Sequence, residues 1–171
     1  GGKLQVPISS GIHTLQLEAS IPADPSVRIA FDGWSDGSTS NPRQINVGGN
    51  ITLTAKFVTQ YLLAADSPFS NVSGAGWYDS GSTAYISVEP EVDHWNGTRH
   101  VFTDWTGDLQ TSNTSLSILM DSPKYVKANY KKQYQVHFNA AGLPNGTIIE
   151  LNMNGISRNI TLPDSYSSWF D

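Results

Sequence analysis

The sequence predicts an all-β fold of small tandem β-sandwich modules with little or no helix. Fifteen glycines and nine prolines separate short runs of β-branched residues, and aromatic residues make up 11% of the chain. This composition is typical of strands joined by many turns. No window carries apolar residues at the 3.6-residue period of a helix, whereas segments of the chain recur about 72 residues apart, as in a repeat architecture.

Individual strands are indicated by alternation. Residues 15–19 and 134–139 alternate apolar and polar side chains, the period of a strand with one buried face. Residues 148–153 continue this pattern between turn signals at Pro144-Asn145-Gly146 and Asn154-Gly155. These segments are therefore predicted to be β-strands joined by tight turns.

Two stretches of the chain match each other and define the repeat. Residues 31–37 read Phe-Asp-Gly-Trp-Ser-Asp-Gly, and residues 102–108 read Phe-Thr-Asp-Trp-Thr-Gly-Asp. Each is followed by a strand ending in Ala-x-Phe or Ala-x-Tyr and then by a Gln-Tyr pair. Large aromatic residues at repeated positions predict core packing inside immunoglobulin-like sandwiches. The predicted core residues are Phe31, Trp34, Phe57, Phe102, Trp105 and Tyr130.

A second repeated element, Trp-aromatic-Asp, occurs at residues 77–79 and 169–171. The repeat therefore predicts that residues 1–59 are the second half of a module, 60–132 a complete module and 133–171 an incomplete third module. An incomplete module exposes unpaired strand edges, which a neighbouring copy can complete by adding a strand. We therefore expect partners that are copies of the chain, or neighbouring modules, joined head to tail.

Composition and charge exclude several classes of function. The net charge is −5, charged residues make up only 15% of the chain, and no cluster of Lys and Arg is present to neutralise phosphates. We therefore expect no nucleic-acid partner. No apolar run approaches the roughly 18 residues that span a bilayer, so we expect no membrane span in this segment. The chain has no cysteine, which excludes disulfides and thiol chemistry.

Asn-x-Ser/Thr sequons are more frequent than chance predicts. Twelve asparagines in a chain this rich in Ser and Thr would give about two sequons by chance, yet there are six. They are expected to carry N-linked glycans, which implies an extracellular, cell-surface location. The sequons are at Asn50, Asn71, Asn96, Asn113, Asn145 and Asn159.

No catalytic motif is present, so the protein is expected not to be an enzyme and to need no cofactor. Asp93, His94 and His100 flank a predicted turn and are candidates for metal ligands, but their spacing does not place a complete ligand set around one ion. The loop carboxylates of Asp36, Asp104 and Asp108 are candidates for Ca²⁺, although loop aspartates more often bond to nearby backbone N–H groups. We assign no catalytic and no metal-binding residue.

The Phe-x-x-Trp pair followed by an Ala-x-Phe/Tyr strand resembles the divergent internalin-B-type repeats of bacterial and archaeal surface proteins. Residues 134–138 and 142–147 are similar to a module common in archaeal secreted and surface-layer proteins. These resemblances imply a tandem β-module surface protein with no catalytic residues.

Three functions stay open from the sequence. The first is a subunit of a glycosylated cell-surface filament, such as a pilus or thread, or of a surface layer, assembled head to tail by strand complementation. The second is a stalk or spacer segment of a longer tandem array. The third is a carbohydrate-binding or adhesive module, for which Trp95, at a predicted turn, is the one tryptophan outside the repeated positions.

Overall fold

The computed structural model describes residues 6–171 and contains, within that range, fourteen β-strands and no helix. The predicted all-β fold class is confirmed. The first seven strands are β1 (Gly11–Leu15), β2 (Ser20–Asp24), β3 (Val27–Trp34), β4 (Arg43–Val47), β5 (Ala55–Asp66), β6 (Gly76–Asp79) and β7 (Thr83–Ser87). The other seven are β8 (Glu91–Asp93), β9 (Thr98–Gly107), β10 (Ser115–Leu119), β11 (Lys124–Phe138), β12 (Ile148–Met153), β13 (Ile156–Thr161) and β14 (Tyr166–Phe170).

The chain divides into two compact units, each made of several segments. The first comprises the described residues up to Ala64 together with Gly74–Ile86 and Ser117–Tyr125. The second comprises Ala65–Ser73, Ser87–Leu116 and Val126–Asp171. The division into repeats at 1–59, 60–132 and 133–171 is based on sequence similarity and not on spatial contacts, and it stays a prediction.

In the first unit, strands pair antiparallel around β5. β2 pairs with β3, β3 pairs with β5, and β6 pairs with the second half of β5. β1 and β4 form a separate two-stranded sheet, and β7 and β10 form another, which lies mainly in this unit. The buried apolar residues of the first unit are Ala30, Trp34, Leu63, Ala84, Ile86, Ile118 and Met120.

In the second unit, β8, β9, β11 and β14 pair antiparallel in that order, and β12 pairs with β13 as a hairpin. The two residues joining this hairpin, Asn154 and Gly155, have φ angles of 52° and 83°. Positive φ at both positions is what a tight hairpin turn requires, and Asn and Gly adopt it most readily. The buried apolar residues are Val88, Phe102, Trp105, Val126, Ala128, Ile160 and Leu162.

The predicted core residues differ in burial. Trp34 and Trp105 are 5% and 0% exposed and Phe102 is 9% exposed, whereas Phe57 is 42% exposed. Phe57 therefore lies at the margin of the core and not inside it. Its counterpart Tyr130 contacts a second phenylalanine besides Phe102, but in the described part of the chain the only ring packed against Phe57 is that of Phe31.

The backbone irregularities repeat along with the sequence. In the β3–β5 pair, the register shifts between Phe31 and Gly33. In the β9–β11 pair, it shifts where Phe102 and Asp104 face Tyr130 and Asn129. Each shift leaves one extra residue beside the Phe of the Phe-x-x-Trp element, which is the definition of a β-bulge. A bulge bends its strand, and in both repeats the bend is followed by a buried tryptophan, Trp34 or Trp105.

Candidate functional site

Each Phe-x-x-Trp element forms the same aromatic cluster. The ring centroids are 5.4 Å apart in the Phe31–Trp34 pair and 5.8 Å apart in the Phe102–Trp105 pair. Edge-on and tilted contacts at these distances are favourable for aromatic rings. Each indole Nε1–H also donates to a loop carbonyl, from Trp34 to Ser40 at 3.0 Å and from Trp105 to Asn113 at 3.1 Å. The buried polar atom is thus satisfied in both copies.

A second repeated cluster connects one predicted repeat to the next, and we call it the junction clamp. In the first clamp, the guanidinium carbon of Arg28 lies 4.6 Å from the ring centroid of Trp77. Arg28 Nε donates to Gln60 Oε1 at 2.7 Å, and Gln60 Nε2 donates to Asp79 Oδ1 at 2.8 Å. Arginine, glutamine, tryptophan and aspartate therefore form one continuous set of contacts across three strands.

The second junction clamp has the same four residue types in the same roles. The guanidinium carbon of Arg99 lies 4.6 Å from the ring centroid of Trp169. Arg99 Nε donates to Gln133 Oε1 at 2.9 Å, and Gln133 Nε2 donates to Asp171 Oδ1 at 2.7 Å. The geometry is therefore conserved between the two junctions of this chain.

The second clamp has additional charge partners. Arg99 Nη1 contacts Glu91 Oε2 at 2.9 Å, and Lys131 Nζ contacts Asp171 Oδ2 at 2.7 Å. The Lys131 ammonium, with the hydrogen bond from Gln133, holds the pKa of Asp171 below its ordinary value. Both ion pairs lie at the surface, where such pairs contribute little stability. The stacked and hydrogen-bonded arginine is the main element of the clamp.

Strand register brings the clamp residues together. Arg28 faces Gln60 across the β3–β5 pair, and Gln60 faces Asp79 across the β5–β6 pair. Arg99 likewise faces Gln133 across the β9–β11 pair. Residues directly opposite each other in antiparallel strands have side chains on the same face, so three neighbouring strands place the three polar groups in a row. The clamp side chains therefore link three neighbouring strands.

Sequence reasoning identified three of the four residue types of the clamp, the glutamine, the tryptophan and the aspartate. It found the repeated Gln-Tyr and Trp-aromatic-Asp elements but not Arg28 and Arg99. Each arginine stands three residues before the Phe of the Phe-x-x-Trp element, in Arg28-Ile-Ala-Phe and Arg99-His-Val-Phe. This repeated three-residue offset is the sequence feature that could have identified the two arginines. The role of each arginine depends on how its strand pairs with its neighbours, which sequence alone does not specify.

All six sequon asparagines have exposed side chains: Asn50, Asn71, Asn96, Asn113, Asn145 and Asn159. Five of them lie in loops or turns, and Asn159 lies in β13. Exposure satisfies the first physical requirement for glycosylation, which is access to the amide. Glycan attachment at each position stays a prediction.

The residues considered as metal ligands have other partners. Nε2 of His94 and Nδ1 of His100 are 2.7 Å apart, and the His100 ring stacks on Phe69 with centroids 3.6 Å apart. Asp93 Oδ1 accepts a hydrogen bond from the backbone N–H of Trp95. Burial, followed by the charges of His94 and Lys132, lowers the pKa of His100. Across residues 6–171, no group of three or more His, Asp or Glu side chains is arranged to hold a metal ion.

The loop carboxylates considered for calcium also have protein partners. Asp36 accepts two hydrogen bonds from the Arg43 guanidinium, both at 2.8 Å, and these lower its pKa to about 2. Asp104 accepts from Thr103 Oγ1 at 2.7 Å. Asp108 also has an interaction partner. Calcium binding stays a prediction.

Residues 70–134 match the family model of the divergent InlB B-repeat domain. The match covers less than half of the chain and includes the Phe102–Trp105–Tyr130 cluster. It lies almost entirely within the predicted complete repeat, residues 60–132. The resemblance to internalin-B-type repeats is confirmed for this stretch.

The divergent InlB B-repeat is a surface-type structural module and not an enzyme family. The middle of the chain is thus similar to a cell-surface repeat module. No curated protein and no solved structure matches the chain. In the described residues, no helix is long and apolar enough to cross a bilayer.

Proposed function

We propose that this protein is an extracellular structural protein, a subunit of a glycosylated cell-surface filament or surface layer. Its tandem β-repeats are joined by junction clamps, and its copies associate head to tail by strand complementation. The observation that carries the proposal is the recurrence of the clamp, with Arg28 and Arg99 both 4.6 Å from a tryptophan of the following repeat. A clamp at each junction fixes the direction in which the next repeat begins.

The energetics support a mechanical role for the clamp. An arginine stacked on tryptophan contributes about 0.5–2 kcal/mol, and each hydrogen bond about 0.5–1.5 kcal/mol. The planar guanidinium both stacks and donates in fixed directions, so the contact is directional as well as attractive. Cross-strand links of this kind resist sliding of one strand past the next. A surface polymer under load requires that property at every junction.

Head-to-tail association is supported by apolar residues that differ in exposure between equivalent positions. Leu63 on β5 is 0% exposed. Leu63 lies three residues after Gln60, and the residue three positions after Gln133 is Val136 on β11. Val136 is 41% exposed, and Tyr134, two residues before it, is 50% exposed. An apolar strand face that is covered in one repeat and open in the next is a candidate interface.

We propose that a second copy covers the Tyr134–Val136 face with its β1–β4 sheet. By repeat position, β1 and β4 correspond to β7 and β10, which contribute Ala84 and Ile118 to the buried core of the first unit. Leu15 and Ile45 in the β1–β4 sheet are only half-buried. A contact between two different surfaces, repeated from copy to copy, generates an open filament or sheet and not a closed ring.

The extracellular location rests on two independent features. The matched B-repeat family is typical of cell surfaces. The six sequon asparagines are all exposed, so glycans can be accommodated at each of them without repacking the core.

Sedimentation across a concentration series tests the association. The wild-type chain is expected to form larger species as concentration rises, because the apolar face is removed from water on contact. Val136→Lys should remain monomeric, since an ammonium placed in that contact would be desolvated without a partner. Leu119→Lys is the matched control, because Leu119 is 54% exposed on β10 outside the proposed interface. A monomeric wild-type chain at every concentration would contradict assembly and favour a stalk or spacer segment.

A second candidate function is sugar binding, favoured by one observation. Trp95 is 91% exposed at the β8–β9 turn, where an indole face is open to a ligand. Binding of the wild-type chain, but not Trp95→Ala, to a glycan array would support an adhesive module. Absence of binding to any glycan would remove this alternative.

A further inference from the structure

The turn between β8 and β9 presents an exposed tryptophan beside a sequon asparagine. Trp95 is 91% exposed and has a φ of 58°, a conformation uncommon for a bulky residue. The turn is held by two hydrogen bonds: Asp93 Oδ1 accepts from Trp95 N at 2.7 Å, and Thr98 O accepts from His94 N at 3.0 Å. The backbone of Trp95 is therefore held in the turn, and its ring is almost fully exposed.

The threonine of the same sequon, Thr98, orients the Asn96 side chain within this turn. Asn96 Oδ1 accepts hydrogen bonds from Thr98 N at 3.1 Å and from Thr98 Oγ1 at 2.6 Å. Two donors on the amide oxygen orient the side chain and withdraw electron density, which increases the acidity of the amide N–H. The Nδ2 atom, to which a glycan is attached, has no protein partner in the described part of the chain. Asn96 is thus presented to solvent with its reactive nitrogen free.

We propose that Asn96 carries an N-linked glycan whose first sugar packs on the indole of Trp95. This inference rests on the proposed extracellular, glycosylated function. Consecutive Cα atoms are about 3.8 Å apart, so a sugar attached to Asn96 begins within reach of the neighbouring ring. One face of a pyranose consists of C–H groups, which are apolar and match the flat indole. The contact removes the most exposed large apolar side chain of the described residues from water.

The glycan would be attached by transfer from an activated sugar donor. The amide nitrogen of Asn96 forms a C–N bond with the anomeric carbon of a lipid-linked, phosphate-activated oligosaccharide. The anomeric C–O bond breaks, and its electron pair leaves with the lipid phosphate or pyrophosphate. The amide nitrogen loses one proton to the transferase that catalyses the step. No oxidant or reductant is needed.

The chain contains a matched control for this site. Asn145-Gly146-Thr147 repeats the Asn-Gly-Thr triplet, and Asn145 is also exposed. Gly146 and Gly97 have similar φ angles of 86° and 78°. Pro144 takes the position of Trp95. A glycan at Asn145 therefore has no neighbouring indole, and the two sites separate attachment from packing.

The test is oxidative footprinting of the glycoprotein isolated from its producing cells, read by peptide mass mapping. A proteolytic peptide containing both Trp95 and Asn96 reports glycan occupancy and indole oxidation in the same molecule. Trp95 should be oxidised several-fold more slowly in peptides with glycan on Asn96 than in peptides without it. In the Thr98→Ala variant, which has no sequon at Asn96, oxidation should rise to the unprotected rate. Thr147→Ala, which removes only the Asn145 sequon, should leave Trp95 unchanged.

Three results would overturn the inference, and they identify different failures. Equal oxidation of Trp95 with and without glycan would show that the sugar does not pack on the indole. An unoccupied Asn96 beside glycosylated sequons elsewhere would remove this site and leave the glycosylated-surface proposal intact. Six bare sequons would overturn both the inference and the glycosylation in the proposed function. A Thr98→Ser variant keeps the sequon and should retain protection, which separates loss of glycan from damage to the turn.

Discussion

The guanidinium carbon of Arg99 lies 4.6 Å from the ring centroid of Trp169, the same separation as between Arg28 and Trp77 at the preceding junction. In both places, a glutamine joins the arginine to an aspartate. Two junctions with the same three contacts among the same four residue types indicate a structural feature of the repeat rather than of the local surface.

Replacing the clamp arginine by lysine should destabilise the second unit. Arg99→Lys keeps the charge but loses the planar stack on Trp169 and the directed hydrogen bond to Gln133, which together contribute about 1–2 kcal/mol. Arg158→Lys is the control, since Arg158 is exposed on β13 and is expected to change stability by less than about 0.5 kcal/mol. Urea unfolding measures both. Equal stability of the two variants would show that the clamp does not stabilise the junction.

Removing a repeat-core tryptophan should cost far more than removing the exposed one. Trp105 is 0% exposed, and its Nε1–H donates to Asn113 O. Trp105→Ala should lose about 3–5 kcal/mol through the cavity that it leaves. Trp95→Ala should change stability by less than about 0.5 kcal/mol, because that ring is 91% exposed. Thermal unfolding followed by circular dichroism distinguishes them, and Trp105→Phe provides a milder variant if the alanine variant does not fold.

Two glycines with similar backbone angles should respond differently to alanine. Gly74 has a φ of 86°, and a Cβ there would lie 2.0 Å from the backbone oxygen of Tyr85. Gly81 has a φ of 83° and open space around the same position. Gly81→Ala should cost about 1–2 kcal/mol from conformational strain alone. Gly74→Ala should cost clearly more, because the strand backbone must move, and comparable midpoints in urea would refute this packing.

The Asp36–Arg43 contact predicts a dependence of stability on acid pH. The arginine holds the pKa of Asp36 at about 2 in the folded state, below the ordinary value of 3.8. Between these values, the unfolded chain binds more protons, so this contribution to stability is present above about pH 4 and is lost as pH falls toward 2. Asp36→Asn should flatten that part of the stability profile.

Arg43→Gln provides the complementary test of this ion pair, because it should raise the pKa of Asp36 toward its ordinary value. Titration of the Asp36 carboxyl carbon by NMR measures the pKa directly. A pKa of Asp36 that does not change in Arg43→Gln would contradict the assigned cause.

Alternation and repetition were enough to predict much of the fold. The alternating residues 134–139 lie in or directly after β11, residues 148–153 form β12, and Asn154-Gly155 forms the predicted turn. The strand predicted at residues 15–19 is wrong: β1 ends at Leu15, and the backbone N–H and C=O of Leu17 bond to the Asn41 side chain instead of a neighbouring strand. The confirmed features depend on local sequence, so they can be read without knowing which strands pair. The repeated Phe-x-x-Trp element predicted buried tryptophans for the same reason.

Features that depend on pairing of distant segments were not predictable. Phe57 occupies a repeat-core position, but its exposure of 42% depends on which residues of other segments cover it. Phe69, outside any repeated motif, stacks on His100 and contacts Tyr130. Arg99 acquires its partners only after three strands are aligned. Sequence periodicity specifies which face of a strand is apolar, whereas these contacts are specified by topology.

The most direct test of the central claim is electron microscopy of material isolated from the native cell surface. The account predicts regular filaments or sheets in which the Tyr134–Val136 face of each copy is covered by the β1–β4 sheet of the next. It also predicts that both junction clamps are preserved in every copy. Native material that contains only separate single chains, with Val136 open to solvent, would contradict head-to-tail assembly.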